Sequence, residues 1–106
     1  MVLSFGLYIV ERQRLAALAL RYRLPTTFEE REHAEAGGLM SYGPNAEESV
    51  RRGAIYVDRI LRGVKPADLP VEQAMQFEFV INLKTAKALG ITIPPMLLFQ
   101  ATEVIQ

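Results

Sequence analysis

The chain is 106 residues long, the length of one domain. Half of its residues are apolar and 23% are charged, with twelve basic against twelve acidic side chains. It therefore has the composition of a folded chain and lacks the basic excess that marks binding to nucleic acid or to an anionic membrane surface. It has no cysteine, which excludes disulfides, thiol catalysis and thiolate metal sites.

Met1 to Val10 is apolar but has no basic flank, and Glu11 and Arg12 follow with no small-residue cleavage site. It predicts neither an export signal nor a membrane span, and read literally the chain stays in the cytoplasm. Val2 to Ser4 reads as a short strand with Phe5-Gly6 as its exit. Leu15, Leu18, Ala19 and Tyr22 recur at helical spacing and predict a helix from Leu7 to about Arg23, which Pro25 ends. Leu24 to Phe28 predicts a second strand. Glu29 to Ala36 predicts a charged helix that begins in solvent and ends at Gly37.

Gly37-Gly38 and Gly43-Pro44 bracket a third short strand, Leu39 to Tyr42. Asn45 then opens the best-formed helix. It is a favourable N-cap, and Glu48 follows three residues on, placed to reach back to it. Val50, Ala54, Val57, Leu61 and Val64 form one apolar stripe, and Glu47–Arg51 and Glu48–Arg52 have i,i+4 spacing. The helix runs to Arg62, about 27 Å, and Gly63 ends it. Lys65 to Pro70 is a proline-restricted connector. Gln76 to Leu83 predicts a strand with Phe77, Phe79, Ile81 and Leu83 on one apolar face. Asn82 caps a short helix through Leu89, which Gly90 terminates. Met96 to Ile105 reads as a short terminal helix or tail. The alternation of strands and helices predicts an α/β fold with a largely parallel sheet.

No enzymatic constellation is written in this order. His33, the single histidine, has no cysteine or paired acid around it and reads as a surface residue. Ser4 and Ser41 lack a nucleophile-elbow setting, and Gly37-Gly38 precedes a strand and not a helix. A flavodoxin-like or receiver-like enzyme fits the alternation, but Ser4-Phe5-Gly6 supplies no acidic cluster. No catalytic residue, metal ligand or cofactor is expected. What remains is geometry, because ligands of open α/β sheets sit beyond the carboxyl ends of strands. Those ends place Thr27, Glu29, Ser41, Tyr42 and Gly43 as ligand-cleft candidates. Asn82 is a further hydrogen-bonding candidate there. The alternative is that Tyr42 serves packing, Asn82 a helix cap and the hydroxyls local backbone.

A longer pattern carries more. Arg23-Leu24-Pro25, Glu35-Ala36-Gly37-Gly38-Leu39-Met40-Ser41-Tyr42-Gly43-Pro44, Tyr56 to Gly63, Lys65 to Gln73, Phe77 to Gly90 and Ile93-Pro94-Pro95 run through nearly the whole chain. Together they resemble the C-terminal portion of the ABC transporter substrate-binding proteins, in the branch that binds tryptophan and other aromatic amino acids. The resemblance implies a type I periplasmic-binding fold, in which two α/β lobes clamp a small ligand. It implies that residues 1–38 and 73–106 belong to the second lobe, that 41–64 return a helix to the first, and that 65–72 link them. Gly37, Gly38, Leu69 and Pro70 would then lie at the hinge. It also implies a small amino-acid-like ligand, an ABC permease as partner, a periplasmic location and no enzymatic activity. Three places depart from the family pattern: Phe5-Gly6 stands where an Asp-Pro pair is usual, His33-Ala34 where Phe-Val is usual, and Met96, Phe99 and Gln100 differ near the end. Family members are longer, so the resemblance implies a truncated portion. The apolar stripe of the long helix then predicts a homodimer or higher oligomer, helix exchange between chains being one way to form it. A self-associating structural module without a ligand is the alternative.

Overall fold

The structure, a computed structural model, describes residues 1, 5–73 and 76–106. The strand expected at Val2 to Ser4 lies outside the described residues. The chain separates into two compact units, Met1–Gly43 with Glu78–Gln106, and Pro44–Phe77. The chain passes from one to the other at Gly43/Pro44 and at Phe77/Glu78.

In the first unit the helix expected from Leu7 to Arg23 is two helices, α1 (Gly6–Val10) and α2 (Arg12–Arg21). The break falls at Glu11. There Tyr8's carbonyl accepts from His33 Nε2 at 3.2 Å and Ile9's carbonyl accepts from Arg12 Nη1 at 2.9 Å, so side chains take bonds a continuous helix would make itself. Strand β1 is Thr27–Phe28, and helix α3 is Arg31–Glu35. Strand β2 is Met40–Pro44, close to the expected position. Strand β3 (Phe77–Asn82), helix α5 (Leu83–Leu89), helix α6 (Pro95–Gln100) and strand β4 (Glu103–Ile105) complete the unit. The tail expected after Met96 thus carries a fourth strand. Between β2 and β3 lies helix α4 (Ala46–Leu61), which belongs to the second unit.

The sheet order is β1-β2-β3-β4. β1 runs parallel to β2, with Phe28 beside Ser41, and β3 runs parallel to β4, with Ile81 beside Val104. The central pair runs the other way. Asn82 N–H donates to Leu39 O at 2.8 Å, Tyr42 meets Phe79 ring to ring, and Asn45 N–H donates to Gln76 O at 3.1 Å. Numbering therefore rises along β2 as it falls along β3. The mixed sheet is parallel in its two outer pairs, as expected, and antiparallel at its centre.

The core is small: Phe28, Ala34, Val80, Ile81 and Ala86 are almost wholly shielded. Val80 and Ile81 are both buried, so β3 is covered on both faces and not, as its alternation suggested, on one. His33 overturns its reading as a surface residue. It is 2% exposed and stacks on the Phe28 ring at 4.5 Å. Its bond to a carbonyl requires the proton on Nε2. Asn82 is the buried polar junction of the unit. Its Oδ1 accepts from Thr85 N–H at 3.1 Å, capping α5 as expected, while its Nδ2 donates to Ala34 O at 2.8 Å. Thr85 Oγ1 donates to Gly37 O, so the end of α3 is fastened to the start of α5 twice.

In the second unit, α4 is capped by Asn45, whose Oδ1 accepts from Glu48 N–H at 2.9 Å. The reciprocal half of the expected capping box is replaced, because Asn45 N–H is given to Gln76. Glu47–Arg51 lies at 3.8 Å as expected. Arg52 turns away from its expected partner Glu48 and binds Glu72, its Nε at 3.0 Å. That hydrogen bond holds the Glu72 carboxyl below its ordinary range and the Arg52 guanidinium above its own. Tyr56 O–H donates to Pro70 O at 2.6 Å, so the connector, including the 3₁₀ turn Pro66–Asp68, is tied back to α4. The apolar stripe of α4 faces solvent: Val50 is 74% exposed and Leu61 81%.

Four helices end in the same six-residue motif, in which the second residue past the cap donates back into the last turn. Just before that donor, three put a positive-φ glycine, Gly37, Gly63 and Gly90, and α2 puts Arg23, at φ 53°. The left-handed conformation costs a non-glycine residue about 1 kcal/mol. Arg23→Gly is therefore expected to raise stability by about 0.5–1 kcal/mol, read as a higher urea midpoint with an unchanged slope.

Candidate functional site

β1 and β2 end, and β3 and β4 begin, at one edge of the sheet. The five cleft candidates all fall there, Thr27, Ser41, Tyr42 and Gly43 on the neighbouring strands β1 and β2 and Glu29 in the loop leaving β1. Alternation divides them between the faces. Thr27 pairs with Met40, which puts Thr27, Met40 and Tyr42 on one face. Phe28 pairs with Ser41, which puts Ser41 and Gly43 on the other. Ser41 is buried and its Oγ makes no hydrogen bond. Tyr42 is 52% exposed, and its ring meets Phe79 edge-on at 6.0 Å and 85°. Thr27 and Glu29 are half-buried.

Gly43 has a specific steric reason. A Cβ there would lie 2.1 Å from the carbonyl oxygen of Glu29, so the loop leaving β1 lies directly against the end of β2. Gly38 is held as closely, with an added Cβ 2.6 Å from the Phe28 ring and 2.9 Å from His33 O. Gly37 and Gly38 thus close α3 inside the first unit, while Leu69 and Pro70 lie inside the second. The passages between the units fall elsewhere, at Gly43/Pro44 and Phe77/Glu78.

Arg31 corrects a sequence reading. The cluster Glu29, Glu30, Arg31 and Glu32 was expected to be a solvated helix start. Instead Arg31 reaches out of α3 with all three nitrogens: Nε to Glu35 at 2.8 Å, Nη1 to Glu78 at 3.3 Å, and Nη2 to Glu103. The Glu35 bond is the strongest of the effects that raise its pKa. The i,i+4 partner Glu35 was visible in sequence; Glu78 and Glu103 were not, because only the sheet order brings them near.

The edge therefore presents an aromatic ring with a hydroxyl, a second ring behind it and a nearby carboxylate. It holds no nucleophile paired with a base, and among the described residues no three potential metal ligands converge. Recesses also lie elsewhere. An apolar groove of about 310 Å³ in the first unit is lined by Leu15, Leu18, Tyr22 and Leu24. A cleft of about 400 Å³ in the second is lined by Asn45, Glu48, Arg52, Tyr56 and Glu72. In the larger one Arg52 and Tyr56 are already bonded to Glu72 and Pro70, so its strongest donors are committed within the unit.

This edge belongs to a sheet whose relatives are binding proteins. The family model for ABC transporter substrate binding protein matches residues 6–105, and the chain belongs to that family. It is similar to a conserved domain protein from Vibrio cholerae O1 biovar El Tor, at 29% identity and TM-score 0.88, over 96% of this chain and 34% of that one. It is similar to an ABC domain from Streptococcus pneumonia solved in complex with L-Trp, at 32% identity and TM-score 0.79, over 86% of this chain and 31% of that one. A Clostridium difficile substrate binding protein with adhesive properties, in a ligand-free, open structure, shares the fold at 22% identity and TM-score 0.66, over 99% of this chain and 35% of that one. The chain spans about a third of the length of these solved structures. No curated protein matches it.

The Glu29–Gly43 contact makes a sharp expectation. Gly43→Ala is expected to destabilise the chain by about 2–4 kcal/mol, because a methyl group is driven into backbone and not into a flexible side chain. Chemical denaturation of the two proteins measures it.

Proposed function

We propose that this chain forms one wall of the ligand cleft of an ABC transporter substrate-binding protein that captures a small amino-acid-like solute and presents it to a permease. In this reading it corresponds to the C-terminal portion of a two-lobed binding protein working outside the cytoplasmic membrane, and it binds without catalysing a reaction. The observation that supports it is the half-exposed Tyr42 ring, braced by Phe79, at the carboxyl ends of β1 and β2. That is where α/β sheets receive ligands. Tyr42 offers a flat apolar face and a hydroxyl, which suits an aromatic or branched side chain. Glu29 offers a carboxylate to the ligand's ammonium group and Thr27 a hydroxyl on the Tyr42 face, while buried Ser41 and Gly43, packed against the Glu29 carbonyl, form the wall behind them. Among the described residues no helix is long and apolar enough to cross a membrane.

Calorimetric titration of the chain with L-tryptophan, L-phenylalanine, L-leucine and L-alanine tests this reading. The expected order is aromatic over branched over alanine, and Tyr42→Ala is expected to weaken the aromatic ligands about tenfold. No heat from any of them at millimolar concentration favours the ligand-free module.

A specific observation favours self-association as a companion property. Val50, Val57 and Leu61, one side of α4, are each more than half exposed, and the chain carries no net charge to keep copies apart. Sedimentation equilibrium at micromolar concentration is expected to show a dimer or larger species, and Leu61→Glu is expected to shift it toward monomer. A stable, folded monomer of the unaltered chain would contradict it.

A further inference from the structure

The loop after β1 and the first residue of α3 touch the two strands that connect the units, and they do so at one level. Gly43 is the last residue of the first unit before the chain leaves it, and the carbonyl of Glu29 lies against it. Glu78 is the first residue after the chain returns, and Arg31 Nη1 binds its carboxylate at 3.3 Å. The antiparallel register of β2 and β3 places these two residues opposite each other, one step beyond the Tyr42–Phe79 pair.

Arg31 is fixed on its other sides as well. Nε is held by Glu35, one turn along its own helix, and Nη2 by Glu103 at the start of β4. A guanidinium with every nitrogen engaged has one orientation, and an ammonium cannot reproduce three such bonds in a plane. A single exposed ion pair contributes little, but a network joined through one partly shielded arginine constrains position. On the far side the first backbone bond between the connecting segments is Asn45 N–H to Gln76 O. On the near side the pair is closed by Asn82 N–H to Leu39 O.

We propose that Arg31 is a positioning residue that clamps β3 where it re-enters the first unit, and that with the Glu29–Gly43 contact it sets the point beyond which Pro44–Phe77 moves. Of the hinge glycines expected from sequence, Gly38 lies tightly against the Phe28 ring and the His33 carbonyl, and Gly37 ends α3 beside Ala16. The freedom to move begins instead at Gly43 and Glu78. Release of the Arg31–Glu78 bond lengthens the mobile segment inward, toward Tyr42 and Phe79, and loosens the residues that would meet a ligand.

Native-state amide exchange by NMR on the unliganded chain tests this. Glu78→Gln and Glu32→Gln make the same change of charge, one at the clamp and one elsewhere on α3. Glu78→Gln is expected to speed exchange of the Asn45 amide about tenfold and to leave the Asn82 amide unchanged, while Glu32→Gln moves Asn45 less than about twofold. Arg31→Lys, which keeps the charge, is expected to act like Glu78→Gln and reads the same clamp if that variant does not fold. Equal effects from the two glutamate changes, no effect from either, or parallel acceleration at Asn45 and Asn82 would overturn the proposal. No ligand enters the measurement, so its failure leaves the binding reading untouched.

Discussion

The antiparallel pairing of β2 with β3 is the constraint on which the rest depends. Every other strand contact in the first unit is parallel and follows from an ordinary strand–helix alternation. The central pair exists because the excursion through α4 and the connector brings the chain back to the place it left. At the inner end of this pair sits Asn82, whose backbone bonds β2 and whose side chain joins α3 to α5. At the outer end sit Gly43, against the loop after β1, and Glu78, held by Arg31 at the start of α3. A buried amide with both ends satisfied tolerates few alternatives, which makes Asn82 a source of register as well as of stability. The candidate cleft inherits its geometry from this arrangement, since Tyr42 and Phe79 face each other only in this register.

Local rules were the legible part of the chain. Asn45 and Asn82 each stand three residues before the amide they cap, and Gly63 and Gly90 stand where their helices end. These signals need only a few consecutive residues. The α/β class and the position of β2 followed from patterning in the same way. What the sequence concealed was set by distant partners. His33 lies on a five-residue helix too short to show a periodic apolar face, and its burial depends on the Phe28 ring and the Tyr8 carbonyl. β4 is only three residues long and exists because Thr102 and its neighbours pair with Phe79 and Val80. The break at Glu11 has no glycine or proline to announce it. Arg31 showed only its local partner.

The candidate site shows the same division. Strand-end geometry brought Thr27, Glu29, Ser41, Tyr42 and Gly43 to one edge, but their faces and burial are properties of the folded sheet. Ser41 is enclosed on the Phe28 side while Tyr42 stands on the other, half open. The edge thus offers an aromatic surface with few polar groups. The chain's membership of the ABC transporter substrate-binding family rests on its pattern over residues 6–105, not on this edge alone.

Saturation-transfer NMR between L-tryptophan and the chain tests the central claim most directly. The account predicts magnetisation transfer between the indole and the ring protons of Tyr42 and Phe79. Transfer confined to Leu15, Leu18 and Tyr22, in the apolar groove beside α2, would contradict it.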